Sequence, residues 1–139
     1  MYLQAALVGQ LSGPAMNRSA LIGLNGKEVV LQDPYFAMSH FSRFTDPGWS
    51  RVATSTSTPG LLTSAWRAPG HDALTIVLVN AGGHALIVGL DLGAEQVRSA
   101  RLRRTVFDGA ERFADLGAWT AASTISLPPR SVATVVVEQ

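Results

Sequence analysis

The sequence predicts a mainly β protein whose body is an antiparallel β-sandwich of seven or eight strands. Beyond Gly48 the chain is a succession of short β-branched and apolar runs. Pro59-Gly60, Pro69-Gly70, Gly82-Gly83, Gly93, Asp108-Gly109 and Pro128-Pro129 punctuate them. Short strands with turn signals at roughly ten-residue spacing are how a sandwich reads in sequence. Composition agrees: 47% of the 139 residues are hydrophobic and 15% charged, which suits a compact core and excludes a disordered chain.

In chain order, Tyr2 to Val8 reads as a short apolar strand, ended by Gly9 and then Ser12-Gly13-Pro14. Ala20 to Leu24 and Glu28 to Leu31 are two strand-like pieces. Asn25-Gly26 between them predicts a type I′ turn, because both residues tolerate positive φ. Asp33 and Pro34 open a helix of about ten residues, Asp33 as N-cap and Pro34 at the first position, where no donor is needed. Tyr35, Met38, Phe41 and Phe44 recur at spacing three, flanked by Phe36 and His40, so one helical face is aromatic. Asp46-Pro47-Gly48 ends it. The strands expected next are Ser50 to Thr54, Leu61 to Trp66, Leu74 to Asn80, Ala85 to Leu90, Val97 to Phe107, Thr124 to Leu127 and Val132 to Val137. Leu74 to Val79 and Ala85 to Val88 are almost continuously apolar, as central strands are. Val97 to Val106 sets Ala100 and Leu102 against Ser99, Arg101 and Arg103, a strand with one wet face. The Thr54 to Thr58 run reads as a hairpin loop.

Several function classes drop out. Net charge is +1, and the eleven cations, ten of them Arg, are scattered among ten carboxylates, so no nucleic-acid partner is implied. Cysteine is absent, which removes disulfides and thiolate metal sites. No apolar run reaches the roughly 18 to 20 residues of a membrane helix. Leu3 to Leu11 lacks a positive flank and is interrupted by Gln4, Gly9 and Gln10, so it reads as a strand rather than a signal peptide. The compartment stays open.

Three ordered stretches carry a family resemblance. Pro34 to Phe44 (PYFAMSHFSRF), followed by Pro47-Gly48 and Arg51-Val52, resembles the stretch that ends the catalytic barrel of family 30 glycoside hydrolases. Thr75 to Asn80 resembles that family's strand ending in Asn, and Leu127 to Thr134 (LPPRSVAT) its closing strand. The match covers essentially everything from Ala20 onward. The resemblance implies that residues 1–46 are the remnant of a (β/α)8 barrel, one strand and one helix, and that residues 47–139 form the appended sandwich. It also implies that the two catalytic Glu residues lie ahead of Met1, and that the sandwich borrows a strand from residues preceding the barrel. Met1 would fall inside a barrel strand, so the chain reads as a truncated frame, a fragment or a split product.

The chemistry in the chain itself is sparse. Retaining glycosidases use two carboxylates about 5 Å apart, whereas Glu28, Glu95 and Glu111 sit by separate turns and read as surface residues. His40 reads as a packing residue; His71 and His84 lie beside glycines, with Asp72 and Asp91 as candidate partners and no metal-ligand spacing. Ser19 and Ser131 have no triad around them, and Asn17-Arg18-Ser19 fits a glycosylation acceptor, a pattern common by chance. No catalytic, cofactor or metal residue is assigned. Trp49, Trp66 and Trp119 are the candidate sugar platforms, read first as seam or core fillers. Arg98, Arg101, Arg103 and Arg104 read as a solvated face before an acidic-sugar site. The function expected is a non-catalytic accessory domain bracing a barrel supplied in cis or in trans. The alternatives are a stand-alone module binding β-glycan and one part of a split β-glycosidase. The aromatic helix face and the Tyr2 to Val8 strand, left without a barrel, predict self-association, relieved by deleting Met1 to Phe44.

Overall fold

The computed structural model describes residues 7–11, 20–107 and 111–139. The chain divides into two compact units, Met1–Ser39 and His40–Gln139. Asn17-Arg18-Ser19, Ser12-Gly13-Pro14, the Asp108-Gly109 turn and most of the Tyr2 to Val8 run lie outside the described residues.

The first unit holds a three-stranded sheet, β1 (Val8–Gln10), β2 (Ile22–Asn25) and β3 (Glu28–Leu31), in that order. β1 runs parallel to β2, and β3 antiparallel to it. Gly9, expected to end a strand, instead lies inside β1 opposite Gly23. Gly23 makes room for the Leu11 side chain: a Cβ there would come within 2.6 Å of it, so Leu11 would have to move. The hairpin turn also differs from expectation. Asn25 pairs with Glu28, so the two-residue loop is Gly26-Lys27, and positive φ falls on Gly26 alone (63°). Positive φ at only the first loop position is the type II′ pattern, not type I′. Helix α1 (Asp33–Ser42) starts in this unit and ends in the second, within two residues of the expected Pro34 to Phe44.

In the second unit a six-stranded sheet runs in the order β4 (Ser50–Val52), β5 (Leu61–Arg67), β6 (Ala73–Asn80), β11 (Ser131–Glu138), β8 (Ser99–Val106), β9 (Ala114–Ala118). All its pairings are antiparallel. A second layer has two antiparallel strands, β7 (Leu86–Val88) and β10 (Ile125–Leu127). β11, with Val132, Thr134, Val135, Val136 and Val137, is the β-branched centre and pairs along its whole length with β6 on one side and β8 on the other. Alternation then sorts the faces. Leu74, Ile76, Leu78, Ala100, Ala133, Val135 and Val137 point inward and meet Val88, Ile125 and Leu127 of the second layer, a β-sandwich core.

Two expectations need correction. Ala85 to Val88 is not a central strand: β7 is half of a two-stranded layer, and Ile87 is 66% exposed, because an apolar run does not reveal how many neighbours it will have. β9 was missed. Its sequence, Ala-Asp-Leu-Gly-Ala, has no β-branched residue, and ladder pairing to β8 through an irregular register overrides that weak propensity.

The opposite face of the six-stranded sheet is wet only in part: Ser99 and Arg101 are exposed as expected and Leu62 is 61% exposed, whereas Arg103 is half-buried. The end of α1 and its exit lie on it: His40, fully buried, bonds Thr105 and Thr134, Thr75 Oγ1 donates to the Phe44 carbonyl at 2.8 Å, and Phe41 meets Trp66 edge-on at 5.8 Å. Burial therefore centres on Ser39 and His40, not on the aromatic stripe, whose members are half-buried.

Candidate functional site

The three tryptophans occupy different environments. Trp119 follows β9, and its backbone N–H bonds the Ala100 carbonyl at 2.9 Å. Its side chain is 5% exposed within the core, so no ring face is open to a ligand. Trp66 sits on the outer face of β5, opposite Arg51 of β4, and half-buried against Phe41. Trp49, also half-buried, is held at the Pro47-Gly48 turn by a 3.2 Å bond from its N–H to the Asp46 carbonyl. In sequence all three have equal standing, because only strand alternation and layer order separate them.

A groove was not foreseen. Two strands cannot cover six, and the uncovered inner face of β5 and β6 floors a cavity of about 440 Å³. Leu61, Ala65, Leu74 and Ile76 form its floor. Its walls are the 52–58 segment, with Thr54 Oγ1 accepting from Thr63 Oγ1 at 2.9 Å, and the 88–92 segment leaving β7. Leu90 and Leu92 are half-buried while Gly89 and Asp91 are exposed, an alternation of strand type in a segment outside either ladder. At one end Arg67 forms an ion pair with Glu95, which also accepts from the Gln139 side chain.

The carboxylates are committed elsewhere. The bonds from Gln139 and Arg67 hold the Glu95 carboxyl below its usual range. Arg104 does the same for Glu111 through two bonds, at 2.6 and 2.7 Å. Glu138, passed over in the motif reading, accepts from Ser99 Oγ at 2.7 Å at the end of the central strand β11. Glu28 is the exposed first residue of β3. A glycosidase general acid needs a raised carboxyl pKa; the arginine-bound pair is shifted the other way.

The remaining candidates have structural partners. Arg101 and Arg103 share Asp115, at 2.9 and 3.0 Å, and Arg104 holds Glu111, so three of the four arginines named for an acidic sugar are ion-paired. Arg98 bonds the Glu138 carbonyl through its backbone N–H. Ser131 Oγ donates to the Pro128 carbonyl at 2.7 Å. His71 Nδ1 lies 3.3 Å from Arg67 Nη1, and the His84 carbonyl accepts from Asn80. Asp91 Oδ1 accepts from the Gly93 N–H, and the backbone carbonyl of Asp72 accepts from the Gln139 N–H. Among the described residues no group of three or more His, Asp or Glu is placed to hold a metal.

Comparison with known proteins bears on the fold. No protein-family profile matches the sequence. The catalytic domain of the family 30 xylanase C from Talaromyces cellulolyticus superposes with a TM-score of 0.75 at 23% identity, over 95% of this chain and 29% of that one. The chain has the fold of one part of family 30 glycoside hydrolases. The family 30 subfamily 8 xylanase from Clostridium acetobutylicum gives 0.73 at 23% identity, over 88% of this chain and 32% of that one. An arabinose-bound family 51 α-L-arabinofuranosidase gives 0.69 at 18% identity, covering 96% and 23%. The chain thus spans between about a quarter and a third of the length of these glycoside hydrolases, and the fold is shared across two families of them.

Proposed function

We propose that this chain is the non-catalytic C-terminal sandwich region of a family 30-type retaining glycosidase, preceded by the end of its barrel, and that it braces a catalytic barrel supplied in cis or in trans. The observation that carries this is the asymmetry of coverage: 95% of this chain corresponds to 29% of a family 30 xylanase domain. The committed carboxylates support it, since Glu95 and Glu111 are each neutralised by their own arginine. So does the groove. Its apolar floor of Leu61, Ala65, Leu74 and Ile76 is uncovered, and the resembled family's sandwich borrows a strand from residues ahead of its barrel. Coding DNA upstream of Met1 tests the reading. A frame carrying barrel strands with two glutamates is expected there or in a neighbouring gene; its absence overturns the bracing role.

A second reading, binding of β-glycan, draws on Trp49 and Trp66, which keep exposed surface near β4 and β5. Trp66→Ala would then weaken retention on an insoluble β-glycan. Wild-type protein passing unretained through such glycans removes this reading.

A further inference from the structure

His40 is a fully buried titratable side chain that the proposed function leaves unused. Its surroundings determine which nitrogen carries the proton. Thr134 Oγ1 donates its one hydrogen to the His40 carbonyl at 3.1 Å. The 2.8 Å contact between Thr134 Oγ1 and His40 Nδ1 therefore has the ring as donor. Thr105 Oγ1 accepts the Phe113 N–H at 2.9 Å and keeps its hydroxyl hydrogen for Nε2, at 2.8 Å. Every polar atom is satisfied by the neutral Nδ1–H tautomer. A second ring proton would face Thr105 as a donor, leaving the threonine hydroxyl hydrogen without an acceptor.

Charge opposes that proton as well. Arg43, from the exit of α1, and Arg103, from β8, lie over the Phe113 ring at 5.0 and 5.4 Å, and the same ring meets His40 edge-on at 4.9 Å. Arg101, further along β8, and Asp115 of β9 complete that side, Asp115 bonding both Arg101 and Arg103. Glu111 and Arg112 precede Phe113 in sequence, and Arg104 holds Glu111. On this face β5, β6 and β11 contribute Ser64, Trp66, Thr75, Val77, Val132 and Thr134, none of which titrates in this range.

We infer that His40 is an acid-opened latch: neutral, it ties the end of α1 to Thr105 and Thr134, and protonated, it releases the 40–45 segment while the core stays closed. The opening is local because the core packs on the other face of the sheet and contains none of these residues. Burial first, and the Arg103 charge second, lower the His40 pKa from 6.5 to about 4, so the latch is set at neutral pH.

The test is an NMR titration of the full chain from neutral pH to below 4. The His40 ring is expected as the Nδ1–H tautomer, with a midpoint near 4. Cross-peaks of Phe41, Phe44 and Thr45 should move with that midpoint, while those of Leu78, Ile125 and Val135 hold. Arg103→Met, which removes a neighbouring cation and leaves the threonine pair intact, should move the midpoint up toward 6.5. An Nε2–H tautomer, a wild-type midpoint at 6.5, or simultaneous loss of latch and core signals would each overturn the latch.

Discussion

Asn80 ends β6 by joining two turns. Its Nδ2 lies 2.8, 3.1 and 3.0 Å from the carbonyls of His84, Leu127 and Pro128, and its Oδ1 accepts from Gly82 at 3.0 Å. The side chain is 1% exposed, so truncation strands several buried groups. Asn80→Ala should cost about 2–4 kcal/mol in urea unfolding. Asn80→Asp should cost at least as much despite its shape, because a carboxylate would face three carbonyl oxygens. A smaller loss for Asp than for Ala would contradict this assignment. His40 gives stability a pH dependence of definite sign. Its folded pKa lies below its unfolded value, so between 6.5 and about 4 the unfolded chain takes up the proton more readily. Stability is full above that window and falls as pH drops through it, by on the order of 3 kcal/mol. His40→Asn should flatten the profile there; an unchanged slope would assign it to other groups. Sequence marked Asn80 only as a strand end and His40 only as packing. Beyond the local Gly82 and His84, the partners of Asn80 lie 47 and 48 positions away and those of the His40 ring 65 and 94, distances that no local pattern encodes.

Elements bounded by strong local chemistry were legible. β3 and β6 lie where their apolar runs stand, and α1 where Asp33-Pro34 and Asp46-Pro47-Gly48 bracket it. What escaped was pairing: the strandedness of β9, the lone partner of β7, and a turn placed one residue along. Pairing also moves the point at which the chain can be shortened. His40, Phe41 and Phe44 belong to the second unit, so the removal of Met1 to Phe44 suggested by the sequence would strip that face of the sheet. A chain starting at His40 should unfold cooperatively. One starting at Thr45 should be less stable by on the order of 4–5 kcal/mol, from the burial of two half-covered aromatics and the lost histidine bonds. Equal urea midpoints for the two chains would show that the segment contributes no stability.

At the scale of the molecule, the sandwich and its family likeness were readable because three stretches keep their order and spacing. The groove was not readable, because it arises from a mismatch in strand number between two layers. Self-association remains a prediction with a defined place. β3 is one of the two edge strands of its three-stranded sheet, with Val29 64% and Leu31 38% exposed. Val29→Lys should reduce the apparent mass in light scattering if that edge joins copies of the chain. An unchanged mass would move the contact elsewhere.

The central claim, a brace without catalytic machinery of its own, is tested most directly by hydrolysis of aryl β-glycosides by the pure chain. The account predicts no turnover above buffer, in the wild type and in Glu95→Gln and Glu111→Gln alike. Sustained turnover that co-elutes with the protein and is lost in either variant would contradict it.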